Sequence, residues 1–397
     1  MPRVFRLILF LAPLLALASA ALQPRDARTL PLFARKYSMQ CTQCHMAFPR
    51  LNAFGIKFRQ NGYRLEGDKG AAPWEEGAFI PLSLVGNVGI DYLRQNVEVS
   101  PGNRTTTTTS QFVQNQVEFH TAGTLAKNLT FHFDNGFAGG AGGVLTSGMA
   151  FLQFDDLSSR GRLNAKASIY DAEIPYLSDS RKTTWEGYLT PVTLNGQGVE
   201  LNGTNQGWTY AAAVINSART HGKSGSTTLN QLEDPYAWVM RDFKGQLVAV
   251  RGWLNHQDPR KVDQESSLHT MIQGSAFLNN GTGRWAIIPG YTYEHFADAD
   301  SSLTPMSDVV QTLLLEGIFT TGAPQPWVFT GRFELRHQSK LTSTAWTFPE
   351  EDDQQLAVNV AYYVSPNARI AFDWGHTYDN VQGPRTDSYK LFAHVGY

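Results

Sequence analysis

The most regular feature of the sequence is an alternation of apolar and polar residues that runs from about residue 79 to the C-terminus. Successive side chains of a strand point to opposite faces, so the alternation predicts strands with one apolar and one polar face. Sixteen segments show the pattern, namely 79–94, 111–122, 126–136, 147–157, 162–171, 185–200, 207–217, 230–242, 246–256, 266–279, 284–296, 307–319, 327–338, 354–364, 368–378 and 387–397.

The connections between these segments alternate in length. Short connections are predicted at 123–125, 158–161, 244–245, 280–283 and 365–367, and long ones at 105–109, 136–143, 297–306 and 339–353. Short turns that alternate with long loops around an even number of strands are typical of bacterial outer-membrane barrels, with both chain ends on the periplasmic side. The predicted fold class is therefore all-β, an outer-membrane β-barrel of about 16 antiparallel strands.

The last segment favours a barrel over a soluble sandwich. One of its faces carries Tyr389, Leu391, Ala393, Val395 and the terminal Tyr397, and the other carries Lys390, His394 and Gly396. A terminal aromatic residue on such a strand resembles an outer-membrane insertion signal, and an edge strand of a sandwich is the alternative. The interrupted hydropathy does not supply a sandwich core, and lipid requires every strand edge to be paired, so a closed barrel is favoured.

Composition and the N-terminus narrow the class further. The formal net charge is −2, so we expect no broad basic face for nucleic acid. Residues 1–20 combine basic Arg3 and Arg6, an apolar stretch over 7–17 and small residues at 18–20, which predicts a secretory signal peptide. Beyond that peptide, no apolar run is long enough for a transmembrane helix.

Between the signal peptide and the strands lies Cys41-Thr42-Gln43-Cys44-His45, a C-x-x-C-H motif that contains the only two cysteines of the chain. This spacing is typical of c-type haem attachment, in which both thiols bond to the porphyrin and the imidazole is the proximal iron ligand. A redox dithiol, a disulfide and a chance pair are the alternatives. No βαβ pattern of a thioredoxin-like dithiol surrounds Cys41, so we predict one covalently bound haem c at Cys41, Cys44 and His45.

Apolar residues follow the motif at nearly helical spacing. Phe48, Leu51, Phe54 and Phe58 predict a short amphipathic helix whose aromatic face contacts the haem, with packing on ordinary protein as the alternative. The pair at 61–62, Asn-Gly, is expected to end this helix.

Several side chains are candidates for the distal ligand of the iron. Met39 and Met46 flank the motif, and a thioether ligand raises the reduction potential. Met46 directly follows His45 and is badly placed for the opposite haem face, which leaves Met39 as the methionine candidate. His120 and His132 of the predicted wall are further options.

These observations divide the chain into a signal peptide at 1–20, a monohaem cytochrome c segment at 21–78 and a porin-like barrel at 79–397. A segment as short as 21–78 is marginal as an independent fold. Because a barrel of this size encloses an aqueous lumen, the segment is expected to plug that lumen. A small domain that hangs beneath an open pore is the alternative.

The N-terminal segment also resembles a known family. The similarity rests on Pro31-x-Phe33-Ala34-Arg35, Cys41-x-x-Cys44-His45, Pro49-x-Leu51, Gly55, Phe58 and Gly62-Tyr63. This pattern, over about residues 31–63, resembles the signature of the fused monohaem cytochrome–porin family, which is associated with outer-membrane iron(II) oxidation. One departure is Ile56-Lys57, where an arginine often follows the glycine.

The resemblance implies electron transfer at the bacterial outer membrane, with the haem segment on the periplasmic side or inside the lumen. The expected partners are extracellular iron(II) or another reductant, a periplasmic c-type cytochrome or similar acceptor, and outer-membrane lipid. If the protein is an enzyme, it is an iron(II):cytochrome oxidoreductase that acts by outer-sphere transfer, with no separate catalytic residue. Acidic Glu350, Glu351, Asp352 and Asp353 lie in a predicted outer loop where they would attract cations, or act simply as solvated charges.

Other functions stay open at the level of the sequence. The same architecture is compatible with another donor, or with electron flow outward to an extracellular acceptor. A porin that transports solutes, with the haem used for sensing or structure, is a different class. A peroxidase is a further alternative and would require an open iron position.

Overall fold

The computed structural model describes residues 32–65, 68, 71, 81–100, 103–138, 145–158, 161–217, 234–256, 267–281, 283–298, 306–321, 327–342, 351–365, 367–379 and 385–396. The predicted signal peptide at 1–20 and the terminal Tyr397 lie outside the described residues. Among the described residues, no helix has the length and apolarity that a membrane crossing would require.

Sixteen strands of the described part of the chain form one closed antiparallel barrel, as predicted. They are β1 Ser83–Ser100, β2 Asn103–Ala126, β3 Leu129–Ala138, β4 Leu145–Phe154, β5 Asn164–Glu173, β6 Thr193–Asn205, β7 Trp208–Ser217, β8 Asp234–Phe243, β9 Gln246–His256, β10 Ser267–Asn279, β11 Trp285–Asp298, β12 Met306–Thr320, β13 Trp327–Thr342, β14 Glu351–Ser365, β15 Ala368–Asp379 and β16 Arg385–Gly396. Each strand pairs with its neighbour in the chain, and β16 closes the wall by pairing with β1.

The wall alternates in burial with the period that the sequence predicts. In β8, buried and exposed residues alternate strictly from Asp234 to Met240. In β12, Leu313 is 53% exposed and Leu315 is 52% exposed, whereas Leu314 and Glu316 between and beyond them are buried. Exposed apolar residues therefore cover the outside of the barrel, and polar residues are concentrated on the inside, as in outer-membrane barrels.

Two predicted connections in the first part of the wall are wrong. The threonine run 105–109 is not a loop but part of β2, where it pairs with residues 93–97 of β1. Threonine is β-branched and fits a strand, and the long partner strand supplies the ladder. The turn predicted at 123–125 lies at 127–128 instead, because β2 continues through an irregularity between Thr124 and Ala126.

Elsewhere in the wall one loop and one strand are corrected, and one turn is confirmed. Residues 136–138 of the glycine-rich stretch belong to β3, and 139–144 lie outside the described residues. The turn at 244–245 is confirmed, with both residues at positive φ (58° and 92°), as a two-residue hairpin turn requires. The predicted strand 185–200 begins only at Thr193.

Residues 174–192, here called the inner loop, fold into the lumen rather than extending the wall. Inward-facing polar side chains of distant strands bind this loop, which explains why its apolar residues do not form a strand. The anchoring pairs are Tyr176 with Ser275, Trp185 with Asp373, Thr190 with Glu334, and Val192 with Arg251.

The N-terminal segment, residues 32–65, also lies inside the barrel. It consists of α1 Leu32–Tyr37, α2 Cys41–Cys44, a ladder of His45–Ala47 with Arg50–Leu51, and α3 Ala53–Gln60. Arg50 is completely buried, and its guanidinium donates to the inner-loop carbonyl of Tyr176, to the Tyr188 hydroxyl at 2.8 Å and to Glu316 of β12. The segment therefore plugs the lumen against both the inner loop and the wall.

The predicted helix is shorter than expected. Helix α3 begins after Asn52, whose side chain accepts a hydrogen bond from the Gly55 amide at 2.9 Å, and it ends at Gln60 with Asn61 as its C-cap, as the Asn-Gly pair predicted. Phe48 and Leu51 precede this helix. Pro49 disfavours helical backbone at Phe48, and Leu51 belongs to the small ladder.

Candidate functional site

The Cys41–His45 motif forms a single compact unit. Helix α2 is one turn that carries both cysteines, which are free thiols of intermediate burial. The Nδ1 of His45 lies 3.1 Å from the Pro49 carbonyl oxygen. A hydrogen bond at Nδ1 fixes the ring and leaves Nε2 available to a metal.

The start of helix α3 packs against this turn. The side-chain amide of Asn52 donates to the Gln43 carbonyl at 2.9 Å, and the Asn52 backbone amide donates to the Cys44 carbonyl at 2.9 Å. A β-carbon at Gly55 would lie 2.2 Å from that same Cys44 oxygen. Glycine is therefore required at position 55 for the close approach of α3 to the motif.

A cavity of about 930 Å³ opens beside the motif and is lined by Cys41, Cys44 and His45. This volume falls in the range of about 300–1,000 Å³ that is usual for small-molecule and cofactor sites. The aromatic residues Phe33, Phe58 and Tyr63 line one side of it, with Phe33 stacked on Tyr63 at 4.6 Å between ring centroids. The cavity lies between the N-terminal segment, the wall and residues 179–185 of the inner loop.

The structure brings most of the predicted site residues to this cavity. Met39, His120 and His132 line it together with the motif, whereas Met46 is buried and is not among the lining residues. Which residue serves as the distal ligand stays a prediction, as do the roles of Cys41, Cys44 and His45.

The predicted aromatic face is only partly correct. Phe48, Leu51 and Phe58 line the cavity. Phe54 is 43% exposed and is absent from the lining, although it lies in α3 four residues before Phe58 and its ring stacks on that of Phe58 at 6.3 Å between centroids.

The thiols do not have the environment of a reactive dithiol. Burial raises the pKa of Cys41, and burial with the nearby Cys41 raises the pKa of Cys44 to about 11. Cysteines that act in disulfide exchange have lowered pKa values, because the thiolate is the nucleophile. Burial also lowers the pKa of His45 to about 4, so its imidazole is neutral at pH 7, the form that binds metals.

Among the residues of the cavity that sequence reasoning missed are His394 and Arg369. His394 of β16 has a Nδ1 hydrogen-bonded to Asn87 and a buried Nε2 that finds no hydrogen-bond partner among the described residues. Arg369 of β15 donates to the Phe48 carbonyl at 2.8 Å. The only sequence signal for His394 was its place on the inward face of the last strand.

These side chains fit a c-type haem. Two free thiols and an imidazole with one nitrogen available lie on one turn at the edge of a large cavity. Cys41 and Cys44 would hold the porphyrin covalently and His45 would bind the iron. Arg369 lines the same cavity and provides a positive charge suited to a propionate.

The predicted acidic loop is not a loop in the described part of the chain. Glu351, Asp352 and Asp353 belong to β14, and Glu350 lies outside the described residues. Asp352 is 2.8 Å from His337, and Asp353 is 3.6 Å from Arg336. The Arg336 pair reduces the negative charge that the stretch presents to cations.

No protein-family profile and no curated protein matches the chain. Solved structures do match. An anion-selective porin from Comamonas acidovorans has a TM-score of 0.53 at 10% identity, covering 80% of this chain and 99% of the porin. The outer-membrane channel DcaP of Acinetobacter baumannii has a TM-score of 0.53 at 11% identity, covering 80% of this chain and 97% of DcaP.

A third similar structure is the loop L8 deletion mutant of OmpT, an outer-membrane protein of Vibrio cholerae. Its TM-score is 0.51 at 12% identity, and the match covers 83% of this chain and all of that one (100%). At such low identity the similarity establishes the fold alone. The chain therefore has the barrel fold of outer-membrane porins, with the N-terminal segment inside it.

Proposed function

We propose that the chain is an outer-membrane electron-transfer protein that holds one haem c and passes electrons from an extracellular donor, iron(II) in the first instance, to a periplasmic c-type cytochrome. The observation that carries this proposal is the position of Cys41, Cys44 and His45, which all line one cavity inside a closed barrel. When bound, the haem supplies a one-electron carrier.

The protein's own residues prepare this cavity. The Pro49 carbonyl orients His45, and Asn52 holds the motif turn against α3. Phe33, Phe58 and Tyr63 form an aromatic surface on one side of the cavity. A rigid, preorganised surrounding reduces the reorganisation that accompanies a change of charge.

The contacts of the N-terminal segment favour a periplasmic position. Arg64 lies 3.1 Å from Asp156 and donates to the Lys127 carbonyl at 3.4 Å, and Lys57 pairs with Asp242. These partners lie at or beside the short turns of the barrel, which face the periplasm in outer-membrane barrels. A periplasmic cytochrome would therefore reach the protein from the side of this segment.

The outer-membrane location is part of the proposal. Its support is the exposed apolar exterior of the wall together with the fold shared with outer-membrane proteins. Solute transport is a second candidate function, because the similar structures include an anion-selective porin and an outer-membrane channel.

The test uses the full chain expressed with the haem-attachment machinery. Outer membranes should show a c-type visible spectrum and a haem that stays bound after denaturation. Anaerobic iron(II) should then reduce that haem rapidly. Cys44→Ser should lose the covalent haem, whereas Thr42→Ser, which keeps both cysteines and the histidine, should retain it.

Three outcomes count against parts of the proposal. A normal covalent haem in Cys44→Ser and in His45→Ala would contradict the site. A haem that dithionite reduces but iron(II) does not would exclude iron as donor. Ohmic ion conductance of the haem-loaded protein in planar bilayers, with no reduction of the haem by any external donor, would favour the transport function.

A further inference from the structure

A second group of metal-binding side chains lines the same cavity. His120 of β2 and His132 and Asp134 of β3 each offer one ligand atom, and these atoms lie within 4.8 Å of one another. His132 and Asp134 are two residues apart and share the inward face, and His120 is paired with Asp134 across the β2–β3 ladder. The geometry of the wall therefore sets the three side chains side by side.

The hydrogen bonds around this cluster orient both imidazoles. Asp134 lies between them, with Oδ1 2.6 Å from Nδ1 of His120 and Oδ2 2.8 Å from Nε2 of His132. The other nitrogens face outer partners, since Nε2 of His120 is 2.9 Å from Glu118 and Nδ1 of His132 is 2.7 Å from the Tyr63 hydroxyl. In metal-binding histidines an outer oxygen likewise fixes the ring, and here the two inner nitrogens face Asp134, the third member of the cluster.

The contact between His132 and Asp134 has the length of a hydrogen bond. Nε2 of His132 is buried and lies 2.8 Å from Oδ2 of Asp134. Ligand atoms of one ion lie slightly farther apart, about 3.0–3.5 Å, because bonds of about 2.0–2.2 Å meet at about 90–110°, so a small separation of the two side chains would admit an ion between them.

We propose that His120, His132 and Asp134 bind a divalent first-row transition metal on the wall of the cavity. Two imidazoles and one carboxylate are the ligand set of non-haem iron(II) sites, whereas Mg²⁺ and Ca²⁺ prefer oxygen ligands. Glu118 adds a second carboxylate at 2.9 Å from His120. The nearby cation Arg59 is paired with Glu173 at 3.2 Å, and Glu173 also pairs with Arg181.

The site would hold an iron(II) ion in the same cavity as the Cys41–His45 motif. That role as a donor position rests on the proposed function, whereas metal binding itself does not. Tyr63 connects the two sites, because it belongs to the N-terminal segment and contacts His132. Binding leaves both imidazoles neutral, and any proton they carry is released to water.

The test is equilibrium dialysis of the purified haem-loaded full chain against Co²⁺, with metal content measured by elemental analysis. We expect one tightly bound Co²⁺ per chain. His132→Asn and Asp134→Asn should each weaken its binding by more than about 10-fold, the loss that removal of an outer partner alone can cause. His376→Asn is the matched control, since His376 is 2.8 Å from Asp387 but belongs to no triad among the described residues.

Two results would overturn the metal site. One is Co²⁺ binding that is equally tight in the wild-type protein, His132→Asn and Asp134→Asn, with the fold of each variant confirmed by circular dichroism. The other is a changed haem spectrum in His132→Asn, which would identify His132 as an axial ligand of the haem iron. Glu118→Gln provides a milder variant, for which we expect a loss of Co²⁺ affinity of about 10-fold.

A second pair of measurements separates this site from the proposed function. The haem-free variant Cys41→Ser/Cys44→Ser should still bind Co²⁺. A wild-type chain that takes up no haem but binds Co²⁺ would refute the cytochrome function and leave the metal site intact. In the haem-loaded protein, His132→Asn should raise the iron(II) concentration for half-maximal haem reduction and leave reduction by dithionite unchanged. Equal iron(II) dependence in the wild type and this variant would overturn the donor role of the site.

Discussion

The barrel wall and the N-terminal segment are held together by different interactions. In the wall, each strand pairs with two neighbours around a closed ring. The strands therefore satisfy each other's backbone hydrogen bonds, and the side chains need only alternate between apolar and polar. The N-terminal segment has only short helices and one small ladder in its described part. Its position depends on buried polar contacts such as Arg50 with Glu316, two residues that are 266 positions apart.

This difference separates what is encoded locally from what is encoded at a distance. A repeated pattern of neighbouring residues specifies the wall, and a single substitution changes one position among many. The attachment of the segment is concentrated in a few buried groups. Substitutions in those groups should release the segment while the wall persists.

The largest effect is expected for Arg50→Ala. The change leaves Glu316 buried without its ion-pair partner, and loss of one partner of a buried pair costs about 3–5 kcal/mol. Hydrogen exchange followed by mass spectrometry should show lost protection over 32–65 and retained protection in the wall.

A partly exposed arginine provides the control for that prediction. Arg336 is 3.6 Å from Asp353 at a partly exposed position, so Arg336→Ala should change stability by about 0–1 kcal/mol. Equal loss of protection in both variants, or none in Arg50→Ala, would contradict the proposed anchoring.

Leu313→Arg tests the wall itself. Leu313 lies halfway along β12 on the exposed outer face, where a charge in lipid costs about 2–4 kcal/mol near the bilayer centre. Folding in lipid vesicles under a urea titration should show this loss, and Leu313→Ile should fold as the wild type does. A Leu313→Arg variant as stable as the wild type would place this face in water.

Gly55→Ala should have a smaller effect, centred on the motif. The added β-carbon meets the Cys44 carbonyl at 2.2 Å, and such overpacking costs about 1–3 kcal/mol. We expect a lower fraction of chains with covalent haem after expression with the attachment machinery. Gly274→Ala is the control, because a β-carbon at Gly274 meets nothing within 4 Å.

The mildest test leaves the fold unchanged and follows the thiols of the haem-free chain. Because burial raises the pKa of Cys44 to about 11, its reactive thiolate forms only as the pH approaches that value. Alkylation by iodoacetamide at pH 8 should be about 100-fold slower than for a cysteine of ordinary pKa near 9, and should accelerate as pH rises. Fast alkylation at pH 7 would instead indicate a reactive dithiol.

Much of the wall was predictable because its information is local. The alternation located all sixteen strands, and the turn at 244–245 was correct. Errors occurred where the secondary structure of a segment depends on the strand it pairs with. The threonine run 105–109 is polar throughout but forms a strand by pairing with β1. The inner loop could not be predicted, since its anchors Arg251, Glu334 and Asp373 lie far away in sequence.

The site was predictable only in part for the same reason. The C-x-x-C-H motif is continuous in sequence, so Cys41, Cys44 and His45 could be named from it. The inclusion of His394 and Asp134 in the cavity depends on barrel closure and strand register, and no sequence pattern joins them to the motif.

The closure of the barrel has a consequence for when the cavity comes into existence. His394 of the last strand faces Asn87 of the first, and both line the cavity. The β16–β1 pair thus forms one side of the cavity, and the cavity stays incomplete until the C-terminal strand has paired. A chain that stalls during assembly, or that loses its last strand, exposes the Cys41–His45 turn without its enclosure. The complete cavity is therefore present only in a chain whose barrel has fully closed.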